Sequence, residues 1–380
     1  MFDSISPISA VVLLLLLAAP AFIIPRFSSG RTQPNQSTAS SLLQRLRGSR
    51  QPPSEVVSLR VYPIKSCRGL ELPKTKLRMH GLDLDRRWMI VDANTKEFLT
   101  IRQIPQMTLI NTALDSNKNK NSSCNSTANG NVTGSSDAEI DTLVLTITGV
   151  DGCVRIPAYP DEAWLAAHTT LAQVKIWDTV TDGHVYGASV NDLFSSFLKR
   201  DVCLVYKGPT PRVLQGNGDP RLLGRTQSTN FPDVHPVLIA SEASLKELNG
   251  RLAKNGAEQI TVERFRPNVI IRGSAPWIED SWKVVRISGC GEDGRRSSLT
   301  IDVVARCARC QVPNVDPDTA DKHKTQPWNT LMRYRRIDEG ITYKPCFGML
   351  SAPRNEGSIE VGMKFEVLEE TRNHRYVKGF

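Results

Sequence analysis

The chain is poor in aromatic residues, which narrows the range of its partners. Aromatics make up 6% of the 380 residues, and they are not interleaved with basic runs. That interleaving is typical of nucleic-acid-binding surfaces, so we expect no nucleic-acid partner. The net charge of +9 still indicates an anionic partner. Composition leaves open whether this is a membrane surface, a phosphate-bearing cofactor or an acidic protein.

The chain also lacks the dense cysteine spacing of a disulfide-stapled secreted domain. Its eight cysteines are spread irregularly, at Cys67, Cys124, Cys153, Cys203, Cys290, Cys307, Cys310 and Cys346. We therefore expect a reducing compartment.

Charged residues are absent from residues 8–24, a run of 17. This length is near the lower limit for a membrane-spanning helix. No basic residue precedes the run, whereas arginines follow it from Arg26 onward. A cleaved secretory signal, the alternative, would need a basic start, so we favour a transmembrane signal-anchor over residues 1–26 with the rest of the chain in the cytosol. On that topology the four Asn-x-Ser/Thr sequons, at Asn35, Asn121, Asn125 and Asn131, would carry no glycan.

Composition divides the remainder into a tether and two domains. Residues 27–54 are rich in Ser, Gln, Arg and Pro and are predicted to be a disordered tether. We place a β-rich first domain at 55–200, with a disordered insertion at 115–139, and a second domain at 201–370. Predicted strands outnumber helices, so we expect a β-rich α+β architecture with strands bent into a barrel-like core.

Local patterns predict individual elements. Residues 87–92 and 98–101 have the pattern of a hairpin. Alternating or continuous apolar runs predict further strands, among them 107–114, 143–147, 174–177, 203–206, 236–240, 299–305 and 358–368. Ser244 and Glu247 have the spacing of a capping box at the start of a helix.

Several strand entrances carry cations without acidic partners that balance them. Lys65 and Ser66 leave a strand in a Gly-ended turn, and Arg86 and Arg266 each precede a buried strand. Such groups, with free backbone N–H groups, suit an anion such as phosphate. Each of these segments also has a purely structural interpretation. The turn with Lys65 and Ser66 is consistent with a surface loop, and Asp85 could pair with Arg86. Two further candidates for this anion site, each also consistent with a structural role, are Asn268 and the turn that contains His235.

Cys310 lies between Arg309 and a Pro/Asp-rich turn, after an apolar strand. Positive charge near a thiol favours the thiolate, which attacks carbon or binds metal. With Cys307 it forms one C-x-x-C, but a zinc site would need a second pair, and the prolines that follow disfavour a thioredoxin-type helix. A nucleophile paired with His323 remains open, as does a soft metal held by one thiolate, with its other ligands from an organic cofactor.

Five of these segments, in this order, resemble the MOSC-domain family with its N-terminal β-rich domain, and within it the mitochondrial amidoxime reducing component group. The matching segments are 62–69, 85–88, 241–245, 264–268 and 309–319. The resemblance extends from about residue 56 to 368. It departs from the family at Ala320, where a glycine is frequent, and at Met349 and Leu350, where aromatics are frequent.

The resemblance implies a molybdenum–molybdopterin cofactor. Cys310 would be the protein ligand of the metal, and Asp316 would orient its ligands or move a proton. The residues that would hold the pterin and its phosphate are Lys65, Ser66, Arg86, His235, Arg266, Asn268 and the backbone at Ala308 and Arg309. A buried anionic cofactor of this kind would pair the cations at the strand entrances.

The implied reaction is reduction of N–OH to N–H and water, with electrons from NADH through a cytochrome b5-type haem protein and its reductase. The implied location is the mitochondrial outer membrane with the catalytic domain facing the cytosol, another cytosol-facing membrane being the alternative, and we expect a monomer. Two other functions stay open: a sulfur carrier or cofactor-maturation module acting through a persulfide, and a protein that stores the cofactor.

Overall fold

A computed structural model describes residues 53–115, 141–290, 294 and 296–379. The predicted anchor, nearly all of the tether and nearly all of the insertion at 115–139 lie outside these residues. Within the described part, no helix has both the length and the apolar character needed to cross a bilayer.

The described residues contain twenty strands and five α-helices, which confirms the β-rich expectation. The strands are β1 (Ser54–Val61), β2 (Leu70–Leu72), β3 (Lys74–Arg78), β4 (Gly81–Leu82), β5 (Trp88–Asp92), β6 (Ile110–Asp115), β7 (Thr142–Ile147), β8 (Val150–Pro157), β9 (Thr169–Ile176), β10 (Thr179–Tyr186), β11 (Val202–Lys207), β12 (Arg212–Val213), β13 (Ser228–Thr229), β14 (Val237–Ser241), β15 (Val269–Ile271), β16 (Trp282–Cys290), β17 (Arg296–Ala308), β18 (Cys346–Pro353), β19 (Gly357–Glu360) and β20 (Lys364–Glu370). The helices are α1 (Glu162–His168), α2 (Ala188–Leu198), α3 (Pro220–Leu223), α4 (Glu242–Lys254) and α5 (Trp328–Tyr334).

Seven strands close into a barrel in the order β15, β14, β18, β17, β16, β20, β1, and β1 pairs back to β15. The closing strand comes from the start of the folded region: Leu59 lies opposite Val269, and Ser54 lies opposite Phe365. Val56 and Leu59 of β1 are fully buried. Closure removes the unpaired strand edges that an open sheet would expose, and it confirms the barrel-like core.

Four smaller sheets of the described residues lie outside the barrel: β5-β11-β10-β9, β6-β7-β8, β19-β3-β4 and β12-β13. We place the start of the second domain at residue 201, yet β11 pairs with β5 and β10, both from the first. The main barrel likewise draws β1 from the first region. The two predicted domains therefore share sheets, and the boundary between them stays a prediction.

Three predicted strands are wrong in part. Residues 98–101 turn back antiparallel on β5 as predicted, with Phe98 opposite Val91 and Leu99 N donating to Ile90 O at 2.9 Å, but they do not extend into a strand. The strand predicted at 107–114 begins as the 3-10 helix Pro105–Leu109, since its initial proline favours a helical first turn. The strand predicted at 358–368 breaks into β19 and β20 at Gly362, whose φ is +86°.

The predicted capping box is also wrong. Helix α4 begins at Glu242 after Ser241, so Ser244 lies inside the helix. Its Oγ accepts a hydrogen bond from the backbone N–H of Trp277 at 2.7 Å.

The sequence patterns do not predict strand β18. All eight of its residues are buried, which leaves no alternation of apolar and polar residues to detect.

Most described cysteines agree with the expectation of a reduced chain, being free at Cys67, Cys203, Cys290, Cys307, Cys310 and Cys346. Cys153 on β8 is the exception, since it is disulfide-bonded.

Candidate functional site

The predicted anion-binding segments meet around the residues that follow β1. Arg86 donates from its backbone N–H to Tyr62 O at 2.8 Å, and its Nη2 donates to Arg266 O at 3.1 Å. Arg266 Nη1 donates to Cys67 O at 2.7 Å, and Arg309 Nη2 donates to Phe265 O at 2.9 Å. Chain segments far apart in sequence are thus joined by direct hydrogen bonds.

Lys65 is buried and has an acidic partner that local sequence did not indicate. Its Nζ donates to Phe231 O at 3.0 Å and forms an ion pair with Asp233. Burial lowers the pKa of Lys65 to about 8, although the Asp233 carboxylate opposes the shift. The pKa of Asp233 is held well below its usual range, because the charges of Lys65 and Arg102 outweigh the effect of burial.

Two guanidinium groups lie over the Tyr62 ring, Arg86 at 4.5 Å and Arg266 at 4.2 Å from its centroid. Arg86 pairs with the buried Asp85 at 2.6 Å. Arg266 is left with Nη2 unpartnered, and the buried Tyr62 hydroxyl is unpartnered too. Burial, and then the charge of Arg86, lowers the pKa of Arg266, while burial raises the pKa of Tyr62 to about 12. These two donors are therefore available to an anionic or polar ligand.

The expectation that the strand-entrance cations lack acidic partners is thus wrong for most of them. Lys65 pairs with Asp233 and Arg86 with Asp85. The partner of Lys65 lies 168 residues away in the sequence, and only folding brings it close. Arg266 differs from these two cations, because its terminal nitrogen Nη2 has no partner.

Three residues of the candidate site have strained backbone conformations. Ser66 has φ +70°, Arg86 +46° and Arg266 +57°, all in the left-handed region that residues with a Cβ avoid. Such conformations cost on the order of 1–3 kcal/mol each and cluster at functional sites. Ala320 also has a positive φ, +64°, which explains why a glycine suits that position in the family it resembles.

Asn268 has a structural role. Its Oδ1 accepts from Leu238 N at 3.1 Å, and its Nδ2 donates to Arg60 O at 3.2 Å. The side chain therefore ties the start of β14 to β1. One N–H and one acceptor site of the amide are used inside the protein, and the proposed contact of Asn268 with a ligand stays a prediction.

The turn around Cys310 is anchored on both sides, while the thiol itself is free and only partly buried. Arg309 donates from its backbone N–H to Pro345 O at 2.8 Å, and its carbonyl accepts from Trp328 Nε1 at 3.3 Å. The backbone of Ala308 is paired with Cys346 in the barrel. These internal bonds position the turn, and the Arg309 backbone groups are already occupied.

The arginine beside Cys310 in sequence contacts Cys307 instead. Arg309 Nη1 donates to Cys307 Sγ at 3.0 Å. Burial raises the pKa of Cys307 despite this contact, and the side chain packs in an apolar cluster that includes Val234.

Asp316 shapes the turn that follows. Its Oδ2 pairs with Arg264 Nη2 at 2.6 Å, and its Oδ1 accepts from the backbone N–H of Asp318 at 2.8 Å. Both carboxylate oxygens are engaged, so the geometry favours the turn-forming interpretation of Asp316 over a proton-transfer role.

His235 is buried at 4% exposure, and neither ring nitrogen has a partner. Burial lowers the pKa of His235 to about 4, so the imidazole is neutral at pH 7. A neutral imidazole offers one donor and one acceptor to a ligand.

Comparisons with known proteins agree with this architecture. The profile of the MOSC N-terminal beta barrel domain matches residues 54–201, and that of the MOSC domain matches residues 226–366. The mouse (Mus musculus) protein named mitochondrial amidoxime-reducing component 1 is 30% identical over 316 residues, covering 81% of this chain and 80% of that protein. The Solanum lycopersicum protein named molybdenum cofactor sulfurase is 28% identical over 329 residues, which are 83% of this chain and 35% of that protein.

Among solved structures, the YUAD protein from Bacillus subtilis covers 84% of this chain and 96% of its own at 11% identity. The TM-score is 0.33, and nothing further rests on this similarity. The two matched profiles and the similarity to the mouse protein show that the chain belongs to the MOSC-domain family, with a MOSC N-terminal domain followed by a MOSC domain.

Proposed function

We propose that this protein binds the molybdenum cofactor, with Cys310 as the thiolate ligand of the metal, and reduces N-hydroxylated compounds. Relatives named for amidoxime reduction align over most of the chain. Relatives named for molybdenum cofactor sulfuration align over a similar stretch.

One observation carries the proposal: the predicted segments contain buried polar groups without partners, two of which are adjacent because the Arg266 guanidinium lies 4.2 Å over the Tyr62 ring. They are Arg266 Nη2, the Tyr62 hydroxyl and both ring nitrogens of His235. Leaving a buried donor unpaired costs about 1–3 kcal/mol, so native proteins rarely tolerate several together. A cofactor with a phosphate and a polar pterin would supply the missing acceptors. The donor set therefore fits the cofactor.

The residues then have distinct tasks. Lys65, Ser66, Arg86 and Arg266 would bind the phosphate and the pterin. Asp233 and Asp85 would orient Lys65 and Arg86 through the ion pairs already present.

The remaining candidate residues would act mainly by positioning other parts of the site. Asn268 fixes the strand beside the site, and Ala308 with Arg309 holds the turn that presents Cys310. His235 would exchange one hydrogen bond with the pterin. Asp316 would keep the turn in shape.

When bound, the cofactor supplies a two-electron centre at which N–OH, two electrons and two protons become N–H and water. The electrons would come singly from a cytochrome b5-type haem protein, itself reduced by an NADH-dependent reductase. The positive net charge of the chain suits an acidic partner of this kind. Residues 1–26 would hold the protein on the mitochondrial outer membrane, in agreement with the mitochondrial names of its relatives.

A second function is favoured by the cofactor sulfurases among the relatives. In that case Cys310 would carry a persulfide and hand sulfur to the cofactor or a substrate. It is the second proposal because the alignment covers 35% of the tomato sulfurase but 80% of the mouse amidoxime-reducing component.

Metal content decides between these functions. The full chain should be produced in cells that make the cofactor and purified for molybdenum analysis. We expect near-stoichiometric molybdenum and reduction of benzamidoxime with reduced cytochrome b5.

Substitutions test the roles of individual residues. Cys310→Ala should lose the metal and the activity, and Arg266→Ala should lower cofactor content while the fold survives, as circular dichroism would show. Arg221→Ala, at an exposed arginine that pairs only within its own turn, is the matched control. Folded protein without molybdenum, or with a persulfide on Cys310 and no metal, would contradict the proposal.

A further inference from the structure

The turn between β9 and β10 contains an unusual residue. Ile176 pairs with Thr179, so the turn consists of Trp177 and Asp178. Trp177 has φ +54°. Two-residue hairpin turns with left-handed residues favour Asn, Asp or Gly, because a bulky side chain is strained there. A tryptophan at this position needs compensating contacts, and such outliers frequently mark functional positions.

The compensating contacts join two aromatic rings, tilted by 59° to each other, and one guanidinium group. The Trp177 ring lies 4.9 Å from the Phe98 ring, and the Arg102 guanidinium lies 4.3 Å over the indole. Trp177 Nε1 donates to Asp233 Oδ1 at 3.2 Å. We call Phe98, Arg102 and Trp177 the aromatic shelf.

The aromatic shelf adjoins the candidate site through a single carboxylate. Asp233 pairs with Lys65 and with Arg102, whose Nη2 lies 3.5 Å from Asp233 Oδ2. Lys65 Nζ also lies 5.5 Å from the centroid of the Phe98 ring. Val234, the residue after Asp233, packs against the same apolar cluster as Cys307, which brings this segment close to the C-x-x-C turn.

Cations outnumber acids at this place. Lys65, Arg102 and the guanidinium of Arg212, which donates to the backbone oxygen of Asp233 at 3.0 Å, surround one carboxylate. Arg102 keeps 31% of its side chain exposed, and its buried Nε has no partner. An arginine stacked on an aromatic ring is held in one orientation, so it loses little further entropy when it binds a planar oxyanion.

We propose that the aromatic shelf is a substrate-specificity site, at which Arg102 binds a carboxylate carried by a planar N-hydroxylated substrate. The inference rests on the proposed function. It adds that the enzyme prefers acidic substrates. Arg102 would bind the substrate carboxylate, and Trp177 would orient the Arg102 guanidinium.

The test compares two substrates that differ by one carboxylate, benzamidoxime and 4-carboxybenzamidoxime. For the full chain loaded with cofactor, the ratio of kcat/KM for the acidic over the neutral substrate should fall about tenfold in Arg102→Gln, since one charge-assisted pair is lost. The fall should appear in KM. Arg102→Lys should restore part of the ratio, and the control Arg221→Gln should leave it unchanged.

Trp177→Asn tests the orienting role. Asparagine suits the left-handed turn, which offsets part of the packing lost against Phe98, so the fold should survive by circular dichroism, yet the substrate ratio should fall because Arg102 loses its stacking surface. An unchanged ratio in both variants would overturn the inference. So would loss of molybdenum from Arg102→Gln, because the shelf would then serve the cofactor.

Binding provides a readout independent of turnover. Isothermal titration of 4-carboxybenzamidoxime should show weaker binding to Arg102→Gln than to the wild type, and the difference should be smaller for benzamidoxime. If the wild type turns over neither substrate, the proposed function fails, while this binding difference still tests the shelf. Equal binding of the acidic compound by both proteins would refute it.

Discussion

Burial of single ionisable side chains decides much of the chemistry at the residue scale. Lys65 and His235 both have pKa values lowered by burial, to about 8 and about 4. Lys65 keeps its charge near neutral pH because Asp233 pairs with it. His235 is neutral because it has no such partner. Sequence could identify both as candidates, since each borders a strand entrance. It could not reveal their charge states, which depend on burial in the fold and, for Lys65, on a partner 168 residues away.

Glu279 is a buried acid outside the site, and it predicts how stability depends on pH. It is 0% exposed, and burial raises the pKa of Glu279 to about 7. Below pH 4.5 both the folded and the unfolded chain hold its proton. As pH rises from 4.5 to 7 only the unfolded chain releases it, so the free energy of unfolding should fall by roughly 3 kcal/mol.

Glu279→Gln removes this titration. We expect the variant to be more stable than the wild type by up to about 3 kcal/mol at pH 8, and equal to it near pH 4.5, by urea unfolding. The exposed Glu258→Gln should change the free energy of unfolding by less than about 0.5 kcal/mol at both values. A stabilisation of Glu279→Gln that is the same at pH 4.5 and pH 8 would contradict the assignment.

At the scale of elements, strand order was decided by partners distant in sequence. The continuous apolar run predicted β14, and alternation predicted β7, because each signal lies within the strand itself. Which strand lies beside which was not available from such signals. Thus β11 pairs along the whole of β5, whereas residues 98–101 bridge to it only at Phe98. Asn268 shows the same limit, since its residue type was detected as special but its partners were not.

The structural role of Asn268 is testable by stability. Asn268→Ala leaves Leu238 N and Arg60 O without their side-chain partner at a site only 1% exposed. Each unpaired buried group costs about 1–3 kcal/mol, so the free energy of unfolding should fall by about 2–4 kcal/mol. Urea unfolding of protein without cofactor measures this, with the exposed Asn373→Ala as control. Unchanged stability together with lost molybdenum would instead restore Asn268 as a direct ligand-binding residue.

At the scale of the whole molecule, the two family regions do not fold around separate barrels. Strand β1 belongs to the MOSC N-terminal match, yet it closes the barrel formed by strands of the MOSC match. The candidate site also combines residues from both matched regions. Lys65 comes from the first region, and Arg266 and Cys310 come from the second. Closure of the barrel and assembly of the site are therefore one event.

A dissection of the chain tests this dependence. A fragment of residues 201–380 lacks β1, so β15 and β20 would each have an unpaired edge and the barrel interior would be open. We expect no cooperative unfolding transition for this fragment and strong binding of a hydrophobic dye. Residues 53–380 should unfold cooperatively. Cooperative unfolding of the shorter fragment would show that the second region folds alone.

The sequence by itself determined the β-rich class, the cation-bearing strand entrances and the family, and it predicted Cys310 as a metal ligand. These properties depend on residue type and short spacing, which local patterns record. Only the tertiary structure decided that β1 closes the barrel, that Asp233 partners Lys65, that Arg309 contacts Cys307 and that Asn268 ties strands together. Each of these depends on which distant segments pack against one another, and the free energy of that packing belongs to the whole fold rather than to any short stretch of residues.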